Sequence, residues 1–311
     1  MIARTSVASE ETMGAEEENV NPEIAAFWEE TRAQLDRVPV DAEVSQLPER
    51  SGREYATYGI RLRSFGDVHV RAWLSTPLQL PPGRRHPAVL VTPGYSMEPT
   101  IRAELVLRGY AVLTLPPRGQ GESGVEWRLP ALTKLTFSLD DPQQFYYRGA
   151  YMDCVRGIDY LSAHPDVDPD RIGVWGRSQG GAYTLATAAL DRRVRVAVAE
   201  EPFLSNFPVG CQLDTPPFNE LRDYFRAHPD ERERGLATLA YFDVMNLAEL
   251  VRCPTLVNVG LKDEVCPYET IRPAFDRLPG LKSLMVYPEL DHQPCADFHV
   301  HGQHWLARYI G

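Results

Sequence analysis

Cysteine is scarce in this chain of 311 residues, and what there is lies scattered: Cys154, Cys211, Cys253, Cys266 and Cys295, with no Cys-x-x-Cys pair. An odd, dispersed set speaks against a disulfide framework or a zinc knuckle and predicts a reducing, cytoplasmic compartment. Positive charge is in deficit, 32 Lys and Arg against 43 Asp and Glu, for a net charge of −11. Such a surface repels a phosphate backbone, so no nucleic-acid partner is expected. No apolar run approaches the roughly 18–20 residues of a membrane helix, and no membrane partner is expected. The first twenty residues carry Glu10, Glu11, Glu16, Glu17 and Glu18 and lack an apolar h-region. That argues against a secretory signal and for a disordered acidic tail over 1–20. Internal repeats and low-complexity segments are missing as well.

What is present is enough apolar material, 43% of residues, to bury one large core, in a chain too short for more than two ordinary domains. Asn21-Pro22-Glu23 reads as a helix start: a capping Asn, Pro at the first helical position and an acid in the first turn. Ile24, Phe27, Trp28, Leu35 and Val38 fall on one face of that helix, which should lie on a larger body as part of an N-terminal helical strap, 21–50. Alternation follows. Ile60 and Leu62, then Val68, Val70 and Ala72, flank Ser64-Phe65-Gly66-Asp67 and predict a hairpin at the antiparallel edge of a sheet. Beyond the turn-rich Pro81-Pro82-Gly83, short apolar runs recur between helical stretches: Ala88–Val91, Ala111–Leu115, Arg171–Trp175, Val194–Ala199, Thr255–Val259 and Ser283–Tyr287. Runs without polar alternation suit parallel strands buried on both faces. The expectation is one α/β domain over 21–311 with a mostly parallel, doubly wound sheet, and a surface insertion at about 124–144.

Gly176-Arg177-Ser178-Gln179-Gly180-Gly181 carries the chemistry. G-x-S-x-G alone is a weak signal, but here it follows a strand and opens a helix of small residues, Ala182 to Leu190. A nucleophile elbow needs that strand–turn–helix setting, because its glycines let the chain turn sharply and present the serine oxygen. Serine is a poor nucleophile by itself and needs a positioned base and a residue to orient that base, in the chain order Ser, acid, His. Asp263 follows the strand Thr255–Val259 and His292 follows the next one. Both therefore fall outside the carboxyl ends of strands, where open α/β sheets bind ligands. Asp291, Glu264 and Glu200/Glu201 are weaker competitors for the acid. The oxyanion hole needs two backbone N–H groups. Gln179, after the nucleophile, is one source, and Tyr95 in Thr92-Pro93-Gly94-Tyr95 is the other.

The chain resembles the cephalosporin-C deacetylase/acetylxylan esterase family, carbohydrate esterase family seven of the α/β-hydrolases. The likeness runs from about Pro22 to the C-terminus. It is carried by Phe27-Trp28-Glu29-Glu30-Thr31, Arg118-Gly119-Gln120-Gly121, Tyr146-Tyr147-Arg148, the Ser178 elbow, Glu201-Pro202-Phe203-Leu204 and Val259-Gly260-Leu261-Lys262-Asp263. The resemblance implies an α/β-hydrolase fold and serine esterase chemistry that removes acetyl groups from sugars or antibiotic-like small molecules, with no metal or organic cofactor. It places Ser178, Asp263 and His292 in the triad and Tyr95 and Gln179 in the oxyanion hole. It also implies a ring-like homo-oligomer, with Phe27 and Trp28 available for packing. Two departures stand out: the family's His-Gly-Tyr is Pro93-Gly94-Tyr95, and its His-Glu is His292-Gln293. The stretch before Tyr146 is also shorter.

Other features read as structural. His299, His301 and His304 lack an acidic or thiolate partner and predict no metal site. Arg118 is expected to tie the loop beneath the site by its fork of donors, and Cys266 to be a buried filler. Trp127, Phe203 and Phe207 are candidate pocket walls, with Tyr241 a further one. Hydrolysis of an oligosaccharide or small-molecule ester is the leading expectation. An acyltransferase, a lactonase or a peptidase would use the same frame, and a non-catalytic binding protein would not need the intact Ser, Asp and His.

Overall fold

A computed structural model describes residues 21–79, 83–131 and 133–311. The acidic tail expected over 1–20, and Pro81 and Pro82 of the expected turn, lie outside the described residues. Helix α1 (Pro22–Asp36) starts as the sequence predicts: Asn21 Oδ1 accepts the Glu23 N–H at 2.9 Å, with Pro22 in the first turn. Its buried face is Ile24, Phe27, Trp28, Thr31 and Leu35. The second half of the expected helical strap is not helical throughout. Residues Glu43–Gln46 form strand β1, exposed along its whole length, because the sheet's edge offers a partner that a short polar segment can pair with.

Strands β2 (Tyr55–Arg63) and β3 (His69–Pro77) form the predicted hairpin in the register Ile60↔Ala72 and Leu62↔Val70. That register turns all four side chains into the core. The hairpin is not itself the edge, since β1 lies outside it. Strands β4 (His86–Thr92), β5 (Ala111–Thr114), β6 (Val167–Arg177), β7 (Val194–Glu200), β8 (Thr255–Gly260) and β9 (Lys282–Tyr287) match the six apolar runs. The nine strands form one sheet in the order β1-β2-β3-β5-β4-β6-β7-β8-β9, antiparallel as far as the β3–β5 pair and parallel from there on. β9 is an edge, and its side chains are half exposed rather than buried on both faces.

Helices α2 (Tyr146–Ala163), α3 (Gln179–Leu190), α4 (Phe218–Ala227), α5 (Tyr268–Arg277) and α6 (Ala296–Ile310) complete the frame. The sheet divides the core by its period of two. Ala88, Leu90, Ala197 and Ala199 pack with α2 and α3, while Val89, Val91, Val196 and Val198 pack with Phe298, Leu306 and Ile310 of α6. α2 and α3 are buried almost all round, so they are held by packing and not by an amphipathic stripe.

Phe27 and Trp28 are not available for subunit packing. Trp28 is 2% exposed, stacks on Tyr151, meets Phe242 edge-on and donates its indole N–H to the Tyr241 carbonyl at 2.8 Å. Burial of each such ring within its own chain contributes roughly 1.5–3 kcal/mol, which is why α1 closes over its own body. The stretch 124–144, expected as a surface insertion, likewise sends Leu135 and Leu139 into the core and buries Lys134. Among the described residues no helix is long and apolar enough to cross a membrane.

Candidate active site

Ser178 sits between the end of β6 and the start of α3 at φ 58°, ψ −119°, a backbone conformation that non-glycine residues rarely adopt. Two close approaches hold it there. A Cβ on Gly176 would lie 2.3 Å from the Gly180 carbonyl oxygen, and one on Gly180 would lie 2.4 Å from the Thr92 carbonyl oxygen. Only glycine fits at either position. The Ser178 N–H donates to the Glu200 carbonyl at 2.8 Å, and its own carbonyl accepts the Phe203 N–H at 3.0 Å. The turn is therefore clamped to the end of β7.

Two loops at the carboxyl ends of β8 and β9 bring their residues to it. Ser178 Oγ lies 3.0 Å from His292 Nε2, and His292 Nδ1 lies 2.8 Å from Asp263 Oδ2. Asp263 Oδ1 accepts the N–H groups of Val265 and Cys266, each at 2.8 Å, which fixes the carboxylate. Its acceptor role at Nδ1 leaves Nε2 free to accept from the serine hydroxyl. Of the competitors, only Glu201 reaches the imidazole, at 3.5 Å from Nδ1 and farther than Asp263. Asp291 and Glu264 are exposed, and Glu200 faces the other way, bonded to the Trp175 indole N–H and lying 3.0 Å from His299 Nε2.

Asp263, Cys266 and His292 offer donor atoms within 4.8 Å of one another. Both Asp263 oxygens are committed to the bonds just described, and burial, with the Asp263 and Glu201 charges, pushes the Cys266 thiol well up. That is a poor donor set for a cation and a fair description of a buried filler beside an acid. Contrary to expectation, two of the three C-terminal histidines do meet an acid: His299 Nε2 lies 3.0 Å from Glu200 Oε2, and the half-exposed His301 lies 3.8 Å from Asp297.

The Thr92–Tyr95 loop lies across from the elbow, and Gln120 joins them. Its Nε2 donates to the Gly94 and Tyr95 carbonyls at 3.0 and 3.1 Å, while its Oε1 accepts from Gln179 Nε2 at 2.8 Å and from the Tyr183 hydroxyl at 3.2 Å. Gln179 opens α3, so its backbone N–H is one of the first-turn donors without an intrahelical partner. Beneath this loop Arg118 plays the expected structural part. Its Nε and Nη2 grip the buried Asp153 at 2.9 and 2.8 Å, and its Nη2 also donates to the Phe65 carbonyl.

Of the candidate walls, Phe203 meets the Tyr95 ring edge-on and leads through Phe218 to Phe207. Trp127 packs instead on Phe137 and Tyr146 over Gly119, and Tyr241 packs against Phe27. A cleft of about 170 Å³ runs beside the elbow between Gly94, Met97, Arg177 and His299, and none of the four aromatics lines it.

Lys134 escapes sequence reasoning, and Glu201, read there only as a weaker competitor for the acid, proves to lie beside the imidazole. Lys134 donates to the Tyr95 carbonyl and lies 4.0 Å over the Tyr95 ring, and burial brings its ammonium down to about 8. The Tyr95 hydroxyl donates to Glu220 of α4 at 2.7 Å. Glu201 is fully buried, and its Oε2 lies 3.5 Å from His292 Nδ1. Burial first, and the Asp263 charge second, raise its carboxyl to about 9. For Lys134 the sequence held no signal. For Glu201 the signal was its place directly after β7.

The acetyl xylan esterase (AXE1) family model matches residues 10–309. The acetyl esterase Axe7A of Xylanibacter ruminicola is 28% identical over 302 residues, 92% of this chain and 66% of its own, so the chain spans about two thirds of that relative's length. Two solved structures are similar throughout. The acetyl xylan esterase from Paenibacillus sp. R4 has a TM-score of 0.87 at 28% identity, covering 94% of this chain and 96% of its own. Acetyl xylan esterase 1 from Thermoanaerobacterium sp. JW/SL YS485 has a TM-score of 0.85 at 28% identity, covering 93% and 94%. With the elbow, the loop order and a match over nearly the whole length, the chain belongs to the acetyl xylan esterase family of α/β-hydrolases.

Proposed function

We propose that the chain is a serine carboxylic ester hydrolase that removes short acyl groups, acetyl foremost, from a sugar or small-molecule alcohol through an acyl-enzyme. The observation that carries this is the unbroken line from Ser178 Oγ through His292 to Asp263, at 3.0 and 2.8 Å, on a strained elbow. Ser178 attacks the ester carbonyl and His292 Nε2 takes the hydroxyl proton. The same nitrogen then gives that proton to the leaving alcohol. Water enters, His292 activates it, and the acid leaves. Asp263 holds the imidazole in the tautomer that keeps Nε2 available. The N–H groups of Tyr95 and Gln179 receive the developing oxyanion, a contribution of about 3–4 kcal/mol for a single donor.

Acetyl as the acyl group is supported by the family and by the relatives' descriptions. Phe203 packs edge-on against the Tyr95 ring and backs the oxyanion loop with apolar bulk. A fluorophosphonate should label Ser178 and abolish release of acetate from acetylated sugars. Labelling elsewhere with activity intact would end this reading. The same assay run with added alcohols measures how much acetyl passes to an acceptor other than water, and hydrolysis should dominate.

A further inference from the structure

One buried acid beside the triad is used by no step of the proposed reaction. Glu201 follows β7 directly and is 0% exposed, yet its Oε1 has no hydrogen-bond partner among the described residues. Its Oε2 lies 3.3 Å from Arg177 Nη1 and 3.5 Å from His292 Nδ1, the nitrogen that Asp263 Oδ2 holds at 2.8 Å. The backbone at Glu201 adopts φ 42°, in the left-handed region, and its N–H donates to Asn258 Oδ1 at 3.0 Å. Strain and desolvation are thus both incurred at one residue. An apolar side chain would fill the same space without the second cost.

We propose that Glu201 is a positioning residue, a second carboxyl group that shares His292 Nδ1 with Asp263 and takes over the imidazole when Asp263 is lost. The proposal rests on the assignment of Ser178, His292 and Asp263 above. The groups facing Glu201 are Arg177 at the end of β6, Glu200 beside it on β7, Asp263 and Cys266 on the loop after β8, and His292 on the loop after β9. Two carboxyl groups this close to one nitrogen hold a single negative charge between them at neutral pH. Burial and the Asp263 charge keep the proton on Glu201, so Asp263 carries the charge in the intact protein.

Without Asp263 one of those two causes vanishes, while Arg177 and any positive charge on the imidazole favour the ionised form. Glu201 then loses its proton to solvent and its Oε2 accepts the Nδ1–H, which preserves the tautomer that Ser178 needs. The hydroxyl proton of Ser178 still passes to Nε2, and Nδ1 keeps its own proton throughout. In the intact protein the same ionisation comes at higher pH. A second negative charge beside Nδ1 then stabilises the imidazolium of the transition state and gives a second rise in rate.

The test is kcat/KM for an aryl acetate across pH, on the full chain, with Asp263→Ala, Glu201→Gln and the double variant. Loss of the acid in such a triad ordinarily costs about 10⁴-fold. Here Asp263→Ala should lose only about 10- to 100-fold, and adding Glu201→Gln should cost at least roughly 10-fold more, a coupling that independent sites would not show. Glu201→Gln alone should remove the second, alkaline rise from the profile. The downfield NMR signal of the His292 Nδ1 proton gives a readout on the unmodified chain, and it should move in two steps with pH. An Asp263→Ala variant unaffected by Glu201→Gln, or a proton signal with a single step, overturns the proposal. Activity surviving in Ser178→Ala would instead overturn the triad assignment itself.

Discussion

At the residue scale, the site rests on a few side chains whose ordinary chemistry is altered by where the backbone puts them. Ser178 gains nothing from its own acidity, so Ser178→Ala should leave the circular dichroism spectrum unchanged while kcat falls about 10⁴-fold or more. A variant that keeps a tenth of the rate would show that another nucleophile is at work. Glu201 supplies a second prediction, this time for stability. The folded carboxyl keeps its proton to about pH 9, whereas the unfolded one releases it near 4.5. Across that window the folded chain binds more protons, so stability falls as pH rises from about 4.5 through 9. Glu201→Gln removes the titrating group. The melting temperature of the variant should gain on that of the parent as pH is raised from 5 to 9, and a constant difference between them would show that Glu201 does not carry the slope.

At the scale of elements, what fixes the site is the loop over Arg118–Gly121 more than the elbow alone. Asp153 of α2 accepts from the Ser64 hydroxyl, the Arg118 N–H and the Arg118 guanidinium, all in a fully buried setting. Removing one partner strands the other charge, so Arg118→Ala or Asp153→Ala should destabilise the fold by about 3–5 kcal/mol, read from urea midpoints. Gln120 acts one step nearer to the chemistry. Gln120→Ala frees the Gly94 and Tyr95 carbonyls from the elbow, and a loosened oxyanion loop should lower kcat by about 10- to 100-fold with a smaller change in KM. An effect confined to KM would mean that the loop binds substrate and not the oxyanion. Much of this frame was legible in the sequence. The Ile60/Leu62 and Val70/Ala72 alternation prescribed the hairpin, and glycines around Ser178 in a strand–helix setting prescribed the elbow. β1 was not legible, because its four exposed residues carry no apolar period and gain order only from pairing with β2. Nor were the contacts of Lys134 and Glu201, which depend on residues 39 and 91 positions away, Tyr95 and His292.

At the scale of the whole molecule, the burial of Phe27 and Trp28 moves the question of self-association to the sheet's two ends. β1 presents unpaired backbone on one side and carries Val44, 59% exposed. On the other side β9 carries Val286, 44% exposed, with Leu281 just before it and Val300 on the neighbouring α6. Sheet edges and exposed aliphatic residues of this kind favour pairing between copies. The net charge of −11 opposes approach at low salt. We therefore propose a homo-oligomer held by apolar burial and edge contacts, for which added salt screens the repulsion and leaves the attraction intact. The mass by light scattering should exceed that of one chain at micromolar concentration and should hold or rise between 0.05 and about 1 M salt. Val286→Lys and Val44→Lys place charge on one edge each, and the variant that lowers the mass identifies the edge in use. A single-chain mass at every salt concentration would show that both edges stay free.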